Sequence, residues 1–332
     1  MVKLPVVTTD AYVHSVGTEF KALPEIYQVE LTNRCNLKCP MCLRTTDMER
    51  PDGLLDLELL RAMIARGDFG GSFYTELQMA GEPTLHPHLH DAIRMLRDDA
   101  GVMTGLSTHG LLIGKKQGVT EALLDLDALT ISVDSVRPEV YHQLRYPAQL
   151  PQLMAAIETF VLAYRTRRDA GHDVPFVELQ LVDTDVVGTR ADVEALTDIV
   201  AVRNWGDVVT IRTTADCFSE MSGRADEGSK PRNAELCINP FASVSVAQDG
   251  TVLSCCFIFD PTPESPNVYG NLRDASLAEV WAGRRVKELQ SSHRSGEYVG
   301  QCRTCYLRSP MSIHLNIVSR MVQRRRKTKA VK

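Results

Sequence analysis

The chain carries nine cysteines, and their positions constrain it more than any other feature. Cys35, Cys39 and Cys42 form a C-x3-C-x2-C run near the N-terminus. Cys237, Cys255, Cys256, Cys302 and Cys305 lie in the last third, and Cys217 stands alone between the two groups. Nine in 332 residues is too sparse for a disulfide scaffold, and the odd number leaves one thiol over. No signal peptide is evident at the N-terminus, and no apolar run reaches the roughly 18 residues a membrane span needs. The expected compartment is therefore the cytoplasm, where clustered cysteines bind metal or do chemistry. The long cysteine-free stretch from Cys42 to Cys217 predicts two metal sites with a folded domain between them.

Composition is that of an ordinary globular protein. Hydrophobic residues make up 44% and charged residues 24%, with a net charge of −5. That balance argues against disorder and against a dedicated nucleic-acid binder. The length suits about two domains.

The middle of the chain alternates strand and helix. Strand-like runs cover Ile26 to Leu31, Tyr74 to Met79, Val102 to Ser107, Leu129 to Val133, Phe176 to Val182 and Val208 to Arg212. Helical spacing covers Leu57 to Arg66 (with Asp56 as N-cap), Leu89 to Leu96, Leu153 to Arg165 and Val193 to Val202. Such alternation predicts a parallel sheet with right-handed crossovers. Six units predict an α/β fold, a partial (β/α)6 TIM-like barrel with its chemistry at the C-terminal strand ends. A small C-terminal domain follows. Ala242 to Val246 and Thr251 to Cys255 flank Gln248-Asp249-Gly250, a hairpin signal, and Ser276 to Glu279 is a capping box before a helix holding Val280 and Trp281. The expected boundaries are an N-terminal extension over 1–23, the barrel over 24–216, a polar linker over 217–236, an auxiliary domain over 237–316 and a basic tail over 317–332.

Three thiolates on one tight loop can hold three irons of a four-iron cluster and leave the fourth open. Structural zinc needs four ligands; His86 or His88 could supply one, so spacing alone leaves both metals in play. Cys35-Asn36-Leu37-Lys38-Cys39-Pro40-Met41-Cys42, directly after a strand, resembles the cluster loop of the radical SAM superfamily. Ala80-Gly81-Glu82-Pro83, Ser107-Thr108-His109-Gly110 and Ser132-Val133-Asp134 follow at successive strand ends, in the order that family shows. The resemblance implies a [4Fe-4S] cluster on Cys35, Cys39 and Cys42 whose open iron chelates S-adenosyl-L-methionine. It also implies that Gly81 and Glu82 receive the methionyl ammonium and that Ser132 and Asp134 contact its carboxylate or ribose. Arg145 is a candidate carboxylate partner, since a guanidinium binds one bidentately. Two positions depart from the family pattern: Met41 stands where an aromatic residue often meets the adenine, and Ala80 replaces a glycine.

In the second group, a cysteine, a hairpin cysteine and a distant C-x2-C supply four ligands, which suit zinc or iron–sulfur equally. Beside such a barrel the pattern resembles the SPASM/twitch extension, in its shorter, single-cluster twitch form. That implies an auxiliary [4Fe-4S] cluster on Cys237, Cys255, Cys302 and Cys305, with Cys256 as the alternate to Cys255. Cys217 and Cys256 are otherwise buried small side chains, or donors of a hydrogen atom to a substrate radical. His109 is a candidate base or substrate contact, against a local turn role. Asp183 and Arg212 are candidate substrate contacts, against solvated loop positions.

The expected reaction is dehydrogenation of an alcohol on a small sugar- or aminocyclitol-like metabolite, with the auxiliary cluster taking the second electron. The alternatives are radical epimerisation through a cysteine, and peptide or protein modification. The resemblance also implies a flavodoxin or ferredoxin as reductant; the net charge and the lack of a long apolar run predict no nucleic-acid or membrane partner.

Overall fold

The computed structural model describes residues 23–183, 190–215, 237–258, 261–303 and 305. Cys217, the linker 217–236 and the basic tail lie outside them. One nine-stranded sheet organises the rest, in the order β6-β5-β4-β3-β2-β1-β7-β8-β9. Strands β1 (Glu25–Val29), β2 (Tyr74–Glu76), β3 (Met103–Thr108), β4 (Ala128–Ser132), β5 (Phe176–Asp183) and β6 (Val209–Ala215) run parallel to their neighbours. They curve as an open partial barrel, because β6 does not return to pair with β1.

The alternation of side chains along each strand builds two surfaces. One is apolar: Leu106, Leu129, Ile131, Val177 and Leu179 are almost fully buried. They pack in the core formed with the helices, among them α2 (Leu57–Ala65), α3 (Leu89–Arg94) and α6 (Leu150–Asp169). Truncating such a leucine to alanine costs about 2–5 kcal/mol. The other surface lines the lumen and is polar. Strand register places Gln28 beside Glu76, and Glu76 beside Gly105. It places Ser132 beside Gln180, and Gln180 beside Arg212. Gly105 is required here, since a Cβ would collide with the Tyr74 hydroxyl.

Differences from the sequence reading are local. Asp56 caps α2 as anticipated, accepting from Glu58 N at 2.9 Å. The buried face of that helix is Leu59, Leu60 and Met63 rather than Leu57, Leu60 and Ile64. Helix α3 ends at Arg94, and Met95–Asp99 continues as a π turn. Short helices α4 (Val119–Leu124) and α5 (Pro138–Leu144) fill connections that showed no clear period. Helix α6 is longer than its periodic stretch, and α7 (Arg190–Val202) starts earlier.

The C-terminal hairpin joins the same sheet. Strand β7 (Ser243–Val246) pairs parallel with β1, and β8 (Thr251–Leu253) and β9 (Val268–Asn271) add antiparallel strands. Ser276 and Glu279 form the capping box of α9 (Leu277–Ala282). Burial of Glu30 ties the two regions together. Its carboxylate takes both Arg50 donors at 2.6 Å, the Ala80 N–H at 3.1 Å and the Gln248 N–H at 3.1 Å. Among the described residues, no helix is long and apolar enough to cross a membrane.

Candidate active site

The first cysteine group lies on the loop leaving β1. Asn33 anchors its base, accepting from Gly53 N at 2.6 Å and donating to the Pro51 carbonyl at 2.8 Å. Lys38 N donates to the Tyr146 carbonyl at 2.7 Å. The Ala80-Gly81-Glu82-Pro83 turn packs directly on this loop. A Cβ at Gly81 would strike the Thr32 and Arg34 carbonyls, so only glycine allows the approach.

Glu82 is buried rather than a solvated loop carboxylate. One oxygen accepts from Thr84 N at 3.1 Å, Thr84 Oγ1 at 2.5 Å and Thr108 Oγ1 at 2.7 Å. The other accepts from His109 N at 2.9 Å. His109 is buried too, and both ring nitrogens are engaged. Its Nδ1 accepts from Leu111 N at 3.0 Å, which assigns the proton to Nε2. Nε2 then donates to Asn36 Oδ1, 2.8 Å away on the cluster loop. Burial lowers the His109 pKa, with Glu82 opposing, so the ring is neutral.

Asp134, two residues beyond the end of β4, lies in the left-handed region, with φ of 59°. Its side chain is fully buried, accepts from Val182 N at 3.2 Å and pairs with Arg145. Arg145 follows α5 and is not an exposed helix arginine, with only 15% of its side chain exposed. Its Nε and Nη2 are taken by Asp134, so the bidentate face expected for a ligand carboxylate belongs to the chain's own aspartate. Nη1 points to Cys39 Sγ at 3.9 Å.

Cys35, Cys39 and Cys42 are free thiols. Burial pushes Cys35 up to about 11 and raises Cys39 as well, with Arg145 opposing at Cys39. Met41 is half-buried beside them. Among the described residues no three His, Cys, Asp or Glu side chains converge on one metal-ion position. Three thiolates on one loop suit a cluster that keeps one iron open, whereas a structural zinc takes four ligands.

The second cysteine group gathers beyond β8. Burial pushes Cys302 up to about 12, and Cys255, Cys237 and Cys305 reinforce the rise. Asn267 Nδ2 donates to Cys302 Sγ at 3.3 Å, and Asn239 Nδ2 to Cys255 Sγ at 3.6 Å. The Cys256 thiol donates to Cys255, which lowers the Cys255 pKa. Cys256 itself is buried within electrostatic reach of Tyr27 on β1.

Between the two groups lies the lumen. Glu76, Gln78, Ser107, Ser132, Gln180 and Arg212 are all half-buried there. Glu76 accepts from Gln78 Nε2 at 2.7 Å, with the Tyr74 and Tyr27 hydroxyls at 3.4 and 3.5 Å. Arg212 Nε lies 3.4 Å from buried Glu178, and Nη2 donates to Gln180. Ser132 and Arg212 thus share one row of the lumen. Asp183 ends β5, but its side chain is outside the described residues. Sequence reasoning missed Glu76, Glu178 and Glu30. Charged residues at alternate strand positions facing inward were the available signal.

A family model described as the radical SAM superfamily matches residues 29–166, and one described as an iron-sulfur cluster-binding domain, SPASM, matches 237–306. The chain thus carries a radical SAM domain followed by a SPASM domain. It is a radical SAM enzyme; its cofactors are S-adenosyl-L-methionine, a [4Fe-4S] cluster and an auxiliary iron–sulfur cluster. It is 27% identical over 301 residues to a GTP 3′,8-cyclase of Corynebacterium glutamicum (strain R), covering 77% of this chain and 78% of that protein. It is 28% identical over 322 residues to the tungsten-containing aldehyde ferredoxin oxidoreductase cofactor-modifying protein of Pyrococcus furiosus, covering 84% and 86%. Among solved structures, it resembles BtrN in complex with AdoMet and 2-DOIA, with a TM-score of 0.53, 15% identity and 88% and 99% coverage. It also resembles Streptococcus suis SuiB bound to precursor peptide SuiA, with a TM-score of 0.60, 13% identity and 85% and 70% coverage. These structural likenesses show the fold.

Proposed function

We propose that the enzyme dehydrogenates an alcohol of a small sugar- or aminocyclitol-like metabolite bound in the lumen. The observation that carries this reading is Glu76. It is a half-buried lumen carboxylate ringed by hydrogen-bond donors, on the strand beside β1, whose Tyr27 lies near Cys255 and Cys256. The bound cofactors supply hydrogen-atom abstraction from the alcohol carbon and take up the second electron. The chain's own residues do the rest. Glu76 accepts the hydroxyl proton. Ser132, Gln180 and Arg212 orient the polar substrate, and the barrel wall excludes water.

In this reading Cys35, Cys39 and Cys42 hold the first cluster, and Cys237, Cys255, Cys302 and Cys305 the auxiliary one. Gly81 brings its turn against the cluster loop, so its backbone receives the methionyl ammonium, with Met41 beside the adenine. Glu82 acts by fixing that turn, because its oxygens are already filled by Thr84, Thr108 and His109. His109 positions the loop through Asn36 rather than serving as a base. Asp134 acts through Arg145. The reductant is a flavodoxin or ferredoxin.

The relatives named as GTP 3′,8-cyclases raise a nucleotide substrate. A triphosphate calls for several cations, whereas the lumen residues named above include two carboxylates and one cation, Arg212. A second reading, epimerisation, is favoured by one observation: Cys256 is a buried thiol within electrostatic reach of Tyr27 on β1. The test is anaerobic incubation of reconstituted enzyme with reductant, S-adenosylmethionine and a panel of sugars, amino sugars and aminocyclitols. Dehydrogenation gives 5′-deoxyadenosine and a product two mass units lighter than its substrate. A product of unchanged mass contradicts it.

A further inference from the structure

Beside Cys39 stands a buried polar group that no hydrogen bond among the described residues uses. Tyr141 lies on α5, one turn before Arg145, so the two share a face. Its side chain is completely buried, and among the described residues its hydroxyl has no hydrogen-bond partner. Arg145, Asp134 and Cys39 all stand within electrostatic reach of the phenol.

The neighbours leave this donor little choice. Asp134 already accepts from Arg145 and from Val182 N. A guanidinium has no acceptor. Cys39 Sγ, already faced by Arg145 Nη1 at 3.9 Å, remains. A buried hydroxyl without a partner costs free energy, and phenylalanine would fill the same space without that cost. A hydroxyl kept here therefore points to an acceptor that arrives with the cluster.

We infer that Tyr141 is a positioning residue for the cluster, donating a hydrogen bond to its sulfur on the Cys39 side and acting with Arg145 to set its reduction potential. Reduction adds negative charge to the cluster, so a donor at sulfur strengthens in the reduced state and raises the potential. The inference holds whichever reaction the radical performs.

The test uses the reconstituted holoenzyme with S-adenosylmethionine. In Tyr141→Phe, the midpoint potential of the cluster whose electron paramagnetic resonance signal responds to S-adenosylmethionine moves to a more negative value, at unchanged iron per chain. In the wild-type protein, electron–nuclear double resonance of the reduced cluster shows a proton coupling that exchanges in deuterium oxide, and Tyr141→Phe loses it. Should Tyr141→Phe load less iron, 3-fluorotyrosine at position 141 decides: its stronger donor moves the midpoint the opposite way. Unchanged midpoints in both proteins, or an exchangeable coupling that survives Tyr141→Phe, would overturn the inference.

Discussion

Arg145 reaches two partners at once: Nε and Nη2 hold the Asp134 carboxylate, and Nη1 lies 3.9 Å from the Cys39 sulfur. A residue just beyond β4, in the left-handed region, is thus wired to a cysteine of the cluster loop through one planar side chain.

Lysine presents a single ammonium and cannot reproduce that fork. Arg145→Lys is expected to keep its iron but to release 5′-deoxyadenosine about 10- to 100-fold more slowly, as for other residues that orient metal ligands. Asp134→Ala leaves the guanidinium buried without its carboxylate and is expected to destabilise the fold by about 3–5 kcal/mol. Denaturant unfolding of both variants, with iron analysis, separates the two effects.

Glu30 is completely buried and joins β1, the loop bearing Arg50, the Ala80 turn and the hairpin at Gln248. Glu30→Gln removes the charge and leaves Arg50 without its ion pair. It should lower stability by about 3–5 kcal/mol and loosen the hairpin first. Amide hydrogen exchange at residues 243–253 is the readout, and protection equal to wild type would contradict the hub.

Glu76 makes a prediction with a sign. Burial raises its pKa, while Arg212, Gln28, Tyr74 and Tyr27 oppose the rise. A folded-state value above the unfolded one means that the protonated form is favoured by folding. The stabilising contribution is complete below the ordinary carboxyl range and is lost as pH rises through the raised value. Ionised Glu76 therefore costs stability at neutral pH. Glu76→Gln should melt at a higher temperature than wild type near pH 7, with the gap closing in acid. The same substitution should slow product formation on the order of 10²- to 10⁴-fold and abolish the rise in rate with pH that the carboxylate base imposes. A variant both less stable and fully active would remove Glu76 from the mechanism.

Adjacent cysteines should behave differently. Cys255 accepts from Cys256 and Asn239 and acts on Cys302, and both Cys255 and Cys256 stand within electrostatic reach of Tyr27. Cys255→Ala is expected to lose the auxiliary cluster, and Cys256→Ala to keep it. Iron and acid-labile sulfide per chain check both. Iron loss in Cys256→Ala alone would exchange the assignments.

Much of this was legible from local patterns. Strand-like runs and the Gln248-Asp249-Gly250 turn are short-range signals, and they located the six parallel strands and the β7–β8 hairpin; the cysteine spacing marked out the loop of Cys35, Cys39 and Cys42 on which the Ala80-Gly81-Glu82-Pro83 turn packs. What stayed hidden depends on distant pairing. Glu30 reads as an ordinary strand residue until Arg50, Ala80 and Gln248 converge on it. Nothing local says that β7 pairs with β1, making the hairpin an extension of the barrel sheet. Helices α4 and α5 are too short to show a period, so Tyr141 and its place beside Arg145 were invisible. His109 showed its strand-end position but not that Leu111 and Asn36 occupy both its nitrogens.

A net two-electron oxidation in the lumen is tested by a single turnover in deuterium oxide. With enzyme, substrate and S-adenosylmethionine mixed at equal concentrations, the account predicts one 5′-deoxyadenosine per product. That product is a carbonyl compound two mass units lighter than the alcohol, with no solvent deuterium at the oxidised carbon. An alcohol product carrying one solvent-derived deuterium at that carbon would contradict it and hand the reaction to Cys256.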